Sequence, residues 1–155
     1  MPLRALYEGK DFDADDLTEE HRKQKFLCPI CNMQFVLVLP SIGRIKHFRH
    51  PKGGSSHYEP ETEEHLRGKR SLMDIAKKLN LSAKTEVKIG KHVTDVLIEG
   101  NQPLAIEFQC SKCNTKEIEE RILTYWEKGI ATLWILGEKF HIDLNIKKNS
   151  NSKGN

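Results

Sequence analysis

Nowhere in the 155 residues does an apolar run approach the roughly 18 to 20 residues that crossing a bilayer requires. The start, Met1-Pro2-Leu3-Arg4, lacks the charged-then-apolar pattern of a secretory leader, so the expectation is a soluble, cytoplasmic chain that meets no membrane. A Gly-rich phosphate loop, a Gly-x-Ser-x-Gly elbow and a dinucleotide fingerprint are all missing, which removes the motif basis for nucleotide-cofactor and serine-hydrolase chemistry. No repeat of about 20 to 50 residues is present, excluding solenoids and propellers. Cysteine is sparse as well. The four fall as Cys28-x-x-Cys31 and Cys110-x-x-Cys113, spacings that suit a held metal in a reducing compartment better than a disulfide framework.

What is there is enough for one ordinary domain: 37% of residues are hydrophobic and 30% charged, so a modest core can be buried and wholesale disorder is excluded. The net charge of +3 conceals an asymmetry. Residues 1–20 carry seven carboxylates (Glu8, Asp11, Asp13, Asp15, Asp16, Glu19, Glu20) against Arg4 and Lys10, leaving the rest of the chain basic. A basic body is compatible with a polyanionic partner, and equally with a solvated surface of mixed charge.

Four regions separate by texture. An acidic segment, 1–24, leads into a Cys/His-bearing lobe and linker, 25–56, whose apolar run Phe35-Val36-Leu37-Val38-Leu39 reads as a hairpin strand closed by Pro40 and Gly43. Pro51-Lys52-Gly53-Gly54-Ser55-Ser56 reads as the linker itself. The core, 57–146, opens with a helix over 61–80, because Leu66, Leu72, Met73, Ile75, Ala76 and Leu79 recur at helical separations between an acidic first turn and the basic Lys77 and Lys78. Strands follow at 84–89, 93–98 and 104–109 as an antiparallel meander, then a helix over 115–128 stopped by Gly129, then a buried strand at 131–136. The basic tail, 147–155, is expected to fray.

Cys28-Pro29-Ile30-Cys31 and His47-Phe48-Arg49-His50 are separated by fifteen residues. Two close pairs joined by a short hairpin can close a tetrahedron of two thiolates and two imidazoles, which points to a structural Zn²⁺ held by Cys28, Cys31, His47 and His50. A rival grouping joins Cys28 and Cys31 to Cys110 and Cys113. In the first arrangement Cys110 and Cys113 are left as buried filler, a loop thiol or a redox-sensitive couple.

Asp95 in Thr94-Asp95-Val96 and Glu107 in Ile106-Glu107-Phe108-Gln109 stand where half-buried strands normally keep carbon. By period-two alternation Glu107 and Gln109 share a face, and Asp95 on the neighbouring strand can stand beside them. Hard oxygen ligands on one side of a sheet suit Mg²⁺ or Mn²⁺; solvent-facing strand positions would explain the same acids without a metal.

The order helix, meander with Asp then Glu-x-Gln, helix, strand resembles the PD-(D/E)XK endonuclease fold. More narrowly, the chain to about residue 137 resembles the competence-protein CoiA-like nuclease family. The resemblance is carried by the Cys/His pairs, Glu64-His65-Leu66 with Lys69, Thr94-Asp95-Val96, Ile106 to Ser111, Arg121 with Tyr125, and Trp134-Ile135-Leu136-Gly137. It implies an α+β nuclease core behind a zinc-binding hairpin lobe, hydrolysing phosphodiester bonds, with DNA favoured because that family is linked to DNA uptake and processing. It further implies that Asp95 and Glu107 hold the catalytic Mg²⁺ or Mn²⁺, with the Phe108 carbonyl as a further ligand. Gln109 stands where many relatives of the larger fold carry Lys; an amide can orient water but can neither hold a positive charge nor accept a proton.

Glu64 is the expected third acid, with Glu61 as runner-up. Lys69, unless simply solvated, Arg121 and Tyr125 are the expected phosphate contacts beside Arg44 and Arg49 of the lobe, where Lys46 and Lys52 add charge; Arg121 and Tyr125, four apart on one helix face, also come within reach of the metal-bound acids. Glu86 reads as a supporting acid or an exposed strand residue, and His65 as a cleft histidine or a helix-surface one. Three functions compete: the metal-dependent nuclease, a non-catalytic zinc-containing DNA-binding or protein-interaction module, and a redox sensor on Cys110 and Cys113. A homodimer or a protein partner, which the acidic start could serve, stays open.

Overall fold

The computed structural model describes residues 1–40, 45–51, 62–110 and 114–137, and its architecture is mixed α+β. Strand β1 (Arg4–Tyr7) pairs antiparallel with β2 (Lys10–Asp13). Between them Glu8 and Gly9 take φ of 50 and 75, the positive values that a two-residue hairpin turn demands. Two 3-10 turns, Ala14–Asp16 and Glu19–Lys23, follow. The expected hairpin then forms, β3 (Val36–Val38) against β4 (His47–Arg49).

The first twenty-four residues are not a separate acidic segment. Ala5, Ala14 and Leu17 share one buried cluster with Phe26, Cys28, Phe35, Leu37 and Phe48, so the boundary expected at residue 25 runs through a hydrophobic core. The Phe48 ring lies 5.3 Å from Phe26 and 5.6 Å from Phe35, and each such ring contributes about 2 to 3 kcal/mol by leaving water. Backbone bonds cross the same boundary: Leu6 and Leu27 exchange N–H···O bonds of 2.9 and 2.8 Å. The acids are engaged within the fold. Asp11 pairs with Arg4 at 2.8 Å, while Asp13 and Asp15 take Arg70 at 2.7 and 2.8 Å.

Helix α1 (Glu63–Lys78) starts where the Thr62 hydroxyl accepts the His65 N–H at 3.3 Å, and ends at Asn80, whose φ of 54 turns the chain out. Strands β5 (Ala83–Ile89), β6 (His92–Ile98) and β7 (Leu104–Gln109) form an antiparallel meander. Helix α2 (Thr115–Trp126), capped by Asn114, crosses back so that β8 (Ala131–Leu136) runs parallel to β7, giving a sheet of order β5-β6-β7-β8. This is the expected order of helix, three strands, helix and strand. Helix α1 packs on β5, β6 and β7. Tyr125 of α2 joins a second core with Ile89 and Ala105.

Two contacts fix the parts to one another. A Cβ on Gly68 of α1 would fall 2.4 Å from the Phe108 ring, so only glycine lets the helix lie this close to β7. Arg4 reaches from β1 to donate to the Thr85 and Glu86 carbonyls of β5, at 2.7 and 2.8 Å. Apart from Pro51, the expected linker lies outside the described residues, as do Arg44, Glu61, Cys113 and the tail. Among the described residues no helix is long and apolar enough to cross a membrane.

Candidate functional site

The ladder between β6 and β7 runs Ile98↔Leu104, Leu97↔Ala105, Val96↔Ile106 and stops there. Next along β6 comes Asp95, and next along β7 comes Glu107. Asp95 accepts the Phe108 N–H on Oδ2 at 2.7 Å, in place of a strand carbonyl. His65 of α1 brings Nε2 to 2.9 Å from Asp95 Oδ1, with its ring stacked 5.9 Å from Phe108. Glu107 is 3% exposed and is held from α2: Tyr125 donates its hydroxyl to Oε1 at 2.6 Å, and Arg121 donates to Oε2 at 3.2 Å and to the Val93 carbonyl at the same distance.

The two carboxyls are driven apart electrostatically. Burial raises Asp95, but His65, the Lys69 charge and the Phe108 N–H outweigh it and hold the carboxyl below its ordinary value. Burial, followed by the Asp95 charge, pushes Glu107 up to about 7 against the pull of Arg121, Tyr125 and Thr94. Burial and the Glu107 charge push the Tyr125 hydroxyl far above its ordinary value, so it serves as a donor. Two neighbouring, largely buried acids that repel one another are a donor set suited to a hard divalent cation. Asp95 Oδ2 and both Glu107 oxygens each accept one protein donor, and Asp95 Oδ1 lies against His65, yet each oxygen keeps a lone pair for a metal.

The remaining expected residues fall differently. Lys69 is not a phosphate contact: it is fully buried, with Nζ donating to Glu86 Oε1 at 2.7 Å, so its ammonium cannot reach a strand of nucleic acid. Arg121 and Tyr125 do share a face, but that face is turned to Glu107, and Tyr125 is wholly buried beneath it. Glu64 is exposed and overhangs the ends of β7 and β8, where its Oε1 lies 3.0 Å from the place a Cβ on Gly137 would take. It is not drawn together with Asp95 and Glu107 into a three-ligand cluster. Gln109 ends β7 half-buried, its carbonyl accepting the Gly137 N–H at 2.9 Å. Arg49 is exposed on β4, and Lys46 instead donates to the Asp15 and Leu17 carbonyls at 3.3 and 2.9 Å. The sequence reading left His65 and Glu86 undecided. The signal for His65 was its four-residue step to Lys69, which puts two bases on one helix face.

A second cluster lies in the lobe. Cys28, Cys31 and His50 bring one ligand atom each to within 4.8 Å of one another, the one group of three such side chains among the described residues. The Ile30 N–H donates to Cys28 Sγ at 3.4 Å, Cys31 Sγ lies 3.4 Å from His50 Nε2, and the His50 ring packs 4.7 Å from Phe35. Two thiols and an imidazole fit three corners of a zinc tetrahedron. His47 is not in the group. It lies in a strand, where a step of three residues from His50 reverses the face, and its Nδ1 sits 3.1 Å from the Ile45 carbonyl. Cys110, at the end of β7, is not in the group either.

Residues 61–153, which include the whole of the four-stranded half, match the family described as competence protein CoiA, nuclease-like domain, and the chain belongs to that family. Competence protein CoiA of Bacillus subtilis (strain 168) is 28% identical over 121 residues, or 75% of this chain. The chain spans about a third of that relative's length, 32%. No solved structure matches it.

Proposed function

We propose that the protein is a divalent-metal-dependent nuclease of the PD-(D/E)XK kind acting on DNA in the cytoplasm, with Asp95, Glu107 and the Phe108 carbonyl as ligands of Mg²⁺ or Mn²⁺. The observation that carries the reading is the pair of acids at the parting of β6 and β7, close enough that the charge of one raises the carboxyl of the other. A bound divalent ion supplies a water of lowered pKa and charge stabilisation at the phosphate. His65 and the Phe108 N–H orient Asp95, while Tyr125 and Arg121 orient Glu107. Gln109 orients water without taking its proton. Glu64, beside Gly137 at the end of β8, is the third acid, acting through water. Cys28, Cys31 and His50 hold a structural zinc.

A non-catalytic DNA-binding module is the second reading, favoured by the Gln in place of Lys. Cleavage of supercoiled plasmid and labelled single-stranded DNA with Mn²⁺ or Mg²⁺, run beside Glu107→Ala purified identically, separates the two. The expected outcome is product from the wild type and at least about a hundredfold less from the variant. No product from either, with both bound to DNA, supports the binding module.

A further inference from the structure

Lys69 and Glu86 form a buried pair, 0% and 1% exposed, that the reading above does not use. Glu86 takes a φ of 50 inside β5, a left-handed conformation that strains a residue with a side chain. The ladder to β6 is intact on either side, Thr85↔Val96 and Val87↔Thr94, which sets Glu86 opposite Asp95. His65 and Lys69 are one turn apart on α1, and they meet Asp95 and Glu86 respectively. Two cross-strand acids therefore face two helical bases, each acid with its own.

Glu86 has other donors besides. The Leu3 N–H reaches Oε1 and the Arg4 N–H reaches Oε2, both at 3.3 Å. A buried ammonium that lost the Glu86 charge is drawn more strongly to other negative charge within reach. Asp95, opposite Glu86 across the ladder, is such a charge and already feels Lys69.

We propose that Glu86 is a positioning residue of the acid centre: it keeps the Lys69 ammonium off Asp95, and because the Leu3 and Arg4 amides hold its carboxylate, docking of the amino-terminal hairpin sets the affinity of Asp95 and Glu107 for a divalent cation. The inference rests on the metal reading of that centre. Coupling of this kind is reciprocal, so cation binding also alters the hairpin amides.

The test is Mn²⁺ titration by calorimetry of the full, zinc-loaded chain as wild type, Glu86→Gln and the double variant Lys69→Met/Glu86→Gln. The single variant frees Lys69 to compete with the cation and should weaken Mn²⁺ about fivefold or more. The double variant removes the competitor and should recover to within about twofold of wild type, a rescue that general loosening of the fold does not produce. In the wild type, Mg²⁺ should shift the Leu3 and Arg4 amide signals in a nitrogen–proton correlation spectrum. Wild type that binds Mn²⁺ while Glu86→Gln binds it equally well, or while the double variant stays as weak as the single, overturns this inference alone. Wild type that binds no Mn²⁺ overturns the nuclease reading and this inference with it. Should Glu86→Gln not fold, the wild-type amides decide: movement at Leu3 and Arg4 supports the coupling, and silence there overturns it.

Discussion

The Cys/His lobe and the acid centre are both built at hairpins, yet they are held together by opposite means. In the lobe, the ligands come from one short stretch of chain and sit among rings, with His50 against Phe35 and Cys28 inside the Phe26–Phe48 cluster. At the acid centre they come from β6 and β7, and what fixes them is charge and hydrogen bonding from α1 and α2. A lobe this small should depend on its metal, because one weak Cys31–His50 contact stabilises the gathered thiols and imidazole far less than a bound ion would. The acid centre has the reverse difficulty: its two carboxylates repel one another, at a cost the fold bears in Glu107.

The largest effect should come from taking the metal out of the lobe. The purified chain should carry about one zinc, and a strong chelator should loosen the packing around Phe26, Phe35 and Phe48 while β5 to β8 persist. Near-ultraviolet circular dichroism reads the rings, and amide exchange reads the two halves separately. Uniform loss of protection in both halves would break the comparison, since it would make the zinc a support of the whole molecule.

A smaller effect is expected at Glu107, with a definite sign in pH. Its folded carboxyl titrates at about 7, above the ordinary value of 4.5, so the folded chain binds the extra proton between those limits. Protein free of divalent cation should therefore lose stability as pH rises from 4.5 to 7, by roughly 3 kcal/mol at most. Asp95, held low, contributes in the other sense, and its share is lost only below its ordinary range. Denaturant melts across that window measure the slope. Glu107→Gln should flatten it, and a slope that survives the substitution assigns the titration elsewhere.

How much of this was legible in the sequence follows from the same contrast. Periodicity placed α1, the meander, α2 and β8, because each buries a face whose spacing is local: β7 and β8 were found at the residues where they occur. Cys28 and Cys31 were legible for the same reason. The first hairpin was not, since Asp11, Asp13 and Asp15 read as a solvated run and their partners Arg4 and Arg70 are fixed only by tertiary contact. Lys69 was misjudged likewise: nothing near it in sequence announces that Glu86 will meet it in the interior. Asp95 and Glu107 stood out because acids among apolar strand residues are rare, and the four-residue step from Arg121 to Tyr125 marked a helix face in reach of them; that both side chains close on Glu107 rather than Asp95 is fixed only by tertiary contact.

The smallest effect is the one that tests local spacing most directly. His47 and His50 are alike in sequence, three apart and beside the same hairpin, and a helix would have set both on one side. Their strand does not. Phe48 turns inward, fully buried, and His50 follows it to the thiols, while His47 faces the other way with Ile45 as its neighbour. His47→Ala should then leave the zinc content unchanged and cost about 1 kcal/mol or less, the worth of one ordinary hydrogen bond. His50→Ala should empty the site under the same dialysis. Metal content by mass spectrometry of the two variants decides it, and equal loss from both would mean that the strand at residues 47–49 gives way when the ion binds and that the tetrahedron takes all four side chains after all.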